Sequence, residues 1–137
     1  MAIGIRRLTF FLMLIFLIAG CTGPKSGIHV QNESDADIAK AEEVFENDKR
    51  LASVVAIFHE KELIAGVRVK TFSRFNKKKI EKELTKKMED LYKDFDVTLS
   101  ADGKFIYETT KIMNDEEKDE KLAKRIKKLK SLSEEET

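Results

Sequence analysis

One thiol is present in 137 residues, at Cys21, and two imidazoles, at His29 and His59. A lone cysteine cannot close an intramolecular disulfide or build a thiolate metal cluster, which leaves packing, nucleophilic catalysis or covalent modification. Catalysis needs a nucleophile with a nearby base and a stabiliser, or a metal that activates water. The chain carries no GxSxG, HExxH or phosphate-loop pattern. Asp94 and Asp96 have the spacing to share one side of a strand, yet an exposed strand face or turn accounts for them without chemistry. His59 reads as the polar shoulder of a hairpin rather than a ligand. The sequence therefore predicts no enzyme, no catalytic residue, no metal and no cofactor.

The second concentration of reactive types is basic. Arg74, Lys77, Lys78, Lys79, Lys82, Lys86 and Lys87 crowd one stretch, and the first three lysines fall near the positive end of a predicted helix dipole, where cations are unfavourable. Such a mismatch suggests a basic face turned toward anionic phospholipid or a wall polymer. Glu81, Glu83, Glu89 and Asp90 dilute it, and a solvated helix face is the plain alternative. Across the chain 26 basic residues oppose 25 acidic ones, and two of the 26, Arg6 and Arg7, lie in the first seven positions. Without them 24 basic residues face 25 acidic ones, a near-neutral balance that gives no expectation of nucleic-acid binding.

The residues before Cys21 supply its context. Arg6 and Arg7 make a basic flank, Leu8 to Ile18 an apolar run broken only by Thr9, and Ala19-Gly20 a small pair, the three parts of an export signal. The run is well short of the ~20 residues of a permanent helical span. Ile18-Ala19-Gly20-Cys21 resembles a bacterial lipobox. That resemblance implies a diacylglyceryl thioether on Cys21, cleavage just before it and acylation, palmitate included, of the new amine. An ordinary cleaved signal or a short anchor is the alternative. Gly4 does not support myristoylation, which needs glycine directly after the initiator methionine. Residues 21–34 then read as the lipidated N-terminus and a tether, with Pro24 and several small polar residues; His29 and Val30 offer an alternative start of a strand.

The folded domain is predicted over 35–113. DADIAKAEEVFENDKR, from Asp35, reads as a short amphipathic helix that Asp35 can cap. LASVVAIFHE is apolar on both faces, an interior strand, whereas the strand after it places Leu63, Ala65 and Val67 inward and wets most of its other face. The connection His59-Glu60-Lys61-Glu62 lacks the Asn-Gly or Asp-Gly of a tight turn. Residues 73–92 hold the clearest helix, with Ile80, Leu84 and Met88 in a stripe and Ser73 or Asn76 as its cap. Phe95, Val97 and Leu99 alternate as a half-buried strand. GKFIYETTKIM fits a helix capped by Asp102 better than the strand its aromatic and threonine content allows. Asn114 and Glu117 have capping-box spacing for a charged helical extension and tail over 114–137.

These elements give an α/β fold class: a small two-layer domain with a three-stranded mixed sheet, order helix-strand-strand-helix-strand, plus a C-terminal helical extension. The helix between the second and third strands implies a right-handed crossover and parallel pairing.

With LIAGC at Cys21, VVAIFHEKELIAGVRVK at 54–70, FSRFNKKKIEKEL at 72–84 and DFDVTLSAD at 94–102, the chain resembles the YhcN/YlaJ sporulation lipoproteins of spore-forming Gram-positive bacteria. The resemblance covers most of 35–113 through core and turn residues, and Cys21 is the one functional residue it transfers. It implies a lipoprotein anchored on the extracytoplasmic face of the cell membrane, in the forespore or spore inner membrane. The role implied is structural or interactive, with an effect on germination or outgrowth, and the partners are an envelope protein, anionic lipid or peptidoglycan. The alternative is an envelope binding module for anionic lipid or peptidoglycan.

Overall fold

The computed structural model describes residues 27–116 and 119–135; the predicted export signal over 1–20, Cys21 and Glu117 lie outside them. Four strands, β1 (Ile28–Glu33), β2 (Leu51–His59), β3 (Glu62–Val69) and β4 (Asp96–Ser100), form one mixed sheet in the order β1-β2-β3-β4. Helix α1 (Ala39–Asn47) joins β1 to β2; a 3₁₀ turn (Thr71–Asn76) and α2 (Lys77–Leu91) join β3 to β4; α3 (Gly103–Asn114) and α4 (Asp119–Glu135) follow.

The sheet has one strand more than the sequence predicts. Residues 28–33, read as tether, pair in parallel with β2, Ile28 opposite Val54 and Val30 opposite Ala56. IHVQNE carries only two aliphatic residues, which suffices for an edge strand whose Ile28 and Val30 pack on the core from one face. Gly27 starts this strand at φ +106, and a Cβ there would sit 2.8 Å from the Ala52 carbonyl oxygen, so glycine is required.

The central strands are covered on both faces. On one face Val54, Ala56, Phe58, Leu63, Ala65 and Val67 meet Ala41 and Phe45 of α1 and Ile80, Leu84 and Met88 of α2. Phe58, Tyr92 and Phe95 pack edge to face there, with centroids 5.1–5.8 Å apart. On the other, Ile57 and Ile64 meet Phe105 and Ile112 of α3 and Leu122, Ile126 and Leu129 of α4. The domain is thus three layers, helices on both sides of a mixed sheet, where two layers were expected. Helix α3 and the supposed extension together supply the third layer: Leu122, Ile126 and Leu129 of α4 recur at helical intervals, and that narrow stripe is buried beside Phe105 and Ile112. For the same reason β3 does not wet a face: Ile64 and Gly66 are buried, and Arg68 and Lys70 reach solvent only at its end.

The β3–β4 pairing is parallel, as the connecting helix implies. Yet β1 and β2 run opposite to β3 and β4, while α1 and α2 lie on the same face. Both crossovers step the same way across the sheet, so reversing the strand direction reverses the hand. One crossover is right-handed and the other has the rare left hand.

Local details also depart from the sequence expectations. The β2–β3 connection is tight, two residues between the paired His59 and Glu62, with Glu60 at φ +51 in the place of a glycine or asparagine. Asp37, rather than Asp35, accepts from the Ala39 N–H at 3.1 Å. Neither Ser73 nor Asn76 caps α2: Ser73 is inside the 3₁₀ turn and Asn76 makes no side-chain cap bond. Asp102 caps α3, accepting from Lys104 and Phe105, which settles 103–114 as helix. Asn114 is the last residue of α3, not the cap of α4. Asp94 lies in the turn before β4 rather than beside Asp96 on a strand.

Candidate interaction surface

The segment Arg68-Val-Lys-Thr-Phe-Ser-Arg-Phe-Asn-Lys-Lys-Lys79 contains six cations and no carboxylate. It spans the end of β3, the 3₁₀ turn and the start of α2. A 3₁₀ helix repeats every three residues, so side chains at i and i+3 lie in line. Phe72 and Phe75 therefore share one ridge, and Arg74 and Lys77 form the ridge beside it. Phe72 is 98% exposed and Phe75 99%. Two neighbouring phenylalanines left almost wholly in water, while Phe45, Phe58 and Phe105 are fully enclosed, are an informative departure from ordinary burial.

The surroundings hold this turn in place without covering it. The Lys70 N–H donates to the Arg50 carbonyl at 2.8 Å, and the Ser73 N–H to the Lys70 carbonyl at 2.9 Å. The Arg50 side chain donates to Asp48 at 2.8 and 2.9 Å and to Glu83 of α2 at 2.7 Å, so one residue ties the start of β2 to both flanks of the turn. Those hydrogen bonds hold the Asp48 and Glu83 carboxyls below their usual range and push the Arg50 guanidinium up. At the N-terminus of α2, three lysines occupy the first turn with no acidic residue and no side-chain cap. Among the described residues, no carboxylate forms an ion pair with Lys70, Arg74 or Lys77. Beside the turn lies a shallow hollow of about 590 Å³, whose walls include Ala52, Arg68, Lys70, Phe72 and Arg74.

The basic residues predicted from the sequence are all exposed, but they do not make one surface. Arg74 and Lys77 flank the phenylalanines. Lys78 turns to Glu81 at 3.7 Å, and Lys79 adds its field to that holding Glu83 ionised. Lys82 and Lys86 lie along α2 opposite its Ile80-Leu84-Met88 stripe, near the exposed Glu89 and Asp90. Lys87 faces α1, lining a groove with Lys40, Glu43 and Asp48. Conversely Arg68, Lys70, Phe72 and Phe75 belong with Arg74 and Lys77, and sequence reasoning did not single them out. The available signal was the unbroken cationic run with two phenylalanines three apart.

At the opposite end of the sheet, His59 is buried as the last residue of β2, and Lys130 of α4 pairs with Glu62 at 3.1 Å and with Asp96. The two carboxylates raise the Lys130 pKa. This cluster fastens the fourth helix to β3 and β4, a structural task. Among the described residues no group of three His, Cys, Asp or Glu is placed to hold a metal ion, and no helix is long and apolar enough to cross a membrane. Comparisons with family models, curated proteins and solved structures found nothing that matches this chain.

Proposed function

We propose that this chain is a lipid-anchored, non-catalytic lipoprotein of the bacterial envelope, held through Cys21 on the extracytoplasmic face of the membrane. Its place is the forespore or spore inner membrane, and its role is structural or interactive, with an effect on germination or outgrowth. The lipobox-like Ile18-Ala19-Gly20-Cys21 and the resemblance to YhcN/YlaJ sporulation lipoproteins support the location. The observation that carries the interactive role is the exposed Phe72–Phe75 ridge in its cationic setting, a surface suited to contact.

The test is imaging of a C-terminally tagged copy under its own promoter through growth and sporulation, with Cys21→Ala in parallel. Signal confined to the forespore membrane, and dispersed in the variant, is the expected result. Equal signal throughout vegetative envelopes would overturn the sporulation assignment; an unaltered variant would overturn the anchor. A second reading, an envelope binding module for anionic lipid or peptidoglycan, is favoured by the six cations of residues 68–79.

A further inference from the structure

We infer that the 3₁₀ turn is a second membrane contact: Phe72 and Phe75 enter the same bilayer that holds Cys21, while Arg68, Lys70, Arg74 and Lys77 bind its anionic headgroups. The inference rests on the lipidated Cys21 of the proposed function and adds an orientation to it.

The first argument is where the chain enters the domain. Cys21 is six residues before Gly27, a reach of about 20 Å when extended. The Gly27 carbonyl accepts from Val54 at 2.6 Å, and Leu51 of β2 pairs with Val69 of β3. Gly27 therefore enters two strands away from the end of β3, about 10 Å across the sheet, at the end that carries the turn. Lys70 bridges the two positions: it lines one hollow with Ile28 and Ala52 and another with Ala52 and Phe72. A tether this short keeps that end of the sheet close to the bilayer.

The second argument is the chemistry of the surface. Phenyl rings flanked by cations suit the boundary between headgroups and acyl chains, with the rings below and the charges at the phosphates. A protein partner would cover the phenylalanines as well, but it does not explain why this carboxylate-free cationic run lies beside the point of tethering; the other such run, residues 121–133, has no phenylalanine and directs Arg125 to Asp115 and Lys130 to Glu62 and Asp96. The unfavourable lysines at the α2 N-terminus fit the same account, since an anionic surface offsets both the helix dipole and their mutual repulsion. One acyl chain alone binds reversibly, and a basic patch is the usual second signal. Here lipid already secures attachment, so the second contact sets orientation.

The experiment uses the full chain as processed and lipidated by its host, reconstituted in vesicles of phosphatidylcholine with or without phosphatidylglycerol. With the Cys21 sulfur in a thioether, Asn76→Cys adds a single free thiol beside the intact phenylalanines, and Glu60→Cys adds one at the opposite hairpin. A fluorophore on each is quenched by nitroxide carried on the acyl chains. With phosphatidylglycerol present, the label at 76 is expected to be quenched about fivefold more than that at 60. Replacing Lys70, Arg74 and Lys77 with Gln lowers the docking equilibrium roughly a hundredfold, at about one surface charge each. Phe72→Ser with Phe75→Ser abolishes the difference, without unfolding because both rings are exposed.

Equal quenching at 76 and 60 would overturn the docking, and quenching at 76 as strong in neutral vesicles would overturn the role given to anionic headgroups. A label at 76 that stays in water with vesicles but is immobilised by peptidoglycan would overturn the docking too, in favour of the wall. The intact mass of the processed chain reads the anchor independently. An unmodified Cys21 overturns the anchor and the two-point geometry; a modified Cys21 with equal quenching overturns the docking alone.

Discussion

Leu122→Ala decides whether the C-terminal helix is part of the domain. Leu122 is fully buried, in a cluster with Ile57 and Ile64 of the sheet and Phe105 and Ile112 of α3. Truncating a leucine in such a site removes its transfer free energy and leaves a cavity, together about 2–5 kcal/mol. For an outer layer that can settle inward, about 3 kcal/mol is the working value. A domain of this size loses roughly 4–6 °C of Tm per kcal/mol, so the melt falls by about 12–18 °C. Circular dichroism melts of Leu122→Ala and Lys128→Ala make the comparison, because Lys128 is exposed on the same helix and its loss should change stability by no more than about 0.5 kcal/mol. Coincident melts for wild type and Leu122→Ala would refute the packing of α4 on this layer. Cutting after Asn114 uncovers Ile57, Ile64, Phe105 and Ile112 together, so the shortened chain should lose its cooperative transition; a sharp melt would refute the same reasoning.

Four further outcomes can be checked by denaturant titration. Tyr92→Phe removes a hydroxyl that donates to the Asp37 carbonyl at 2.6 Å and accepts from the Ala41 N–H at 3.1 Å, and should cost about 1–2 kcal/mol. An unchanged midpoint would show that the two helices do not depend on that link. Gly66→Ala places a Cβ 3.1 Å from the Ile106 Cα, a helix backbone atom that cannot rotate aside, and should cost about 1–2 kcal/mol; a gain in stability would mean α3 packs more loosely. Arg50→Met should cost about 1 kcal/mol or less, because Arg50 and Glu83 are more than a third exposed. With the folded Asp48 pKa depressed, that contribution is present above the unfolded value near 3.9 and lost as pH falls through the folded one. A difference that does not shrink at all as the pH falls below the unfolded value would exclude the Asp48 carboxylate as its source. Lys77→Glu puts an acid in the first turn of α2 and should stabilise the domain by about 0.3–1 kcal/mol while weakening any anionic docking; a loss of stability would show that Lys77 has a folded-state partner.

The sequence made legible those elements whose apolar period is carried by several residues. The Ile80-Leu84-Met88 stripe, the two-faced apolar run of β2 and the Phe95-Val97-Leu99 alternation each predict one geometry, and each is found. β1 was illegible because an edge strand needs few apolar residues: Ile28 and Val30 sit among polar neighbours after glycine and proline, which reads equally as a linker. The third layer was illegible for a complementary reason. The Ile57 and Ile64 side of the sheet needed a cover; Phe105 and Ile112 of α3 supply part of it, and the rest comes from a stripe almost sixty residues beyond Ile64 and only three residues wide, which read as a charged helical extension. Leaving α3 and that stripe unassigned to this side also left Ile64 and Gly66 on a wet face, although Gly66 lies against Ile106 of α3. The hairpin at Glu60-Lys61 was legible but its tightness was not, because its left-handed position is filled by glutamate, and the register of β2 and β3 imposes what the turn residues do not prefer.

The interaction surface became visible where local and global preferences disagree. A sequence that specifies its fold consistently buries phenylalanine and keeps cations from helix N-termini, and most of this domain does both. Around residues 70–79 neither holds: Phe72 and Phe75 are in water, Lys77, Lys78 and Lys79 start α2, and its cap position is left without a side-chain acceptor. None of these choices stabilises the isolated domain, and each is relieved by one kind of neighbour, an apolar phase with anionic edges. The separation of the basic residues follows from this. Lys78 pairs with Glu81 and Lys87 adds to the field on Asp48 and Glu83, while Lys82 and Lys86 lie opposite the Ile80-Leu84-Met88 stripe, near Glu89 and Asp90. Arg74 and Lys77 form no such pairs among the described residues and sit beside the phenylalanines. The determinant of the candidate site is therefore the coincidence of exposed rings with unpaired charge at the end of the sheet where β1 begins, and lysine content alone does not identify it.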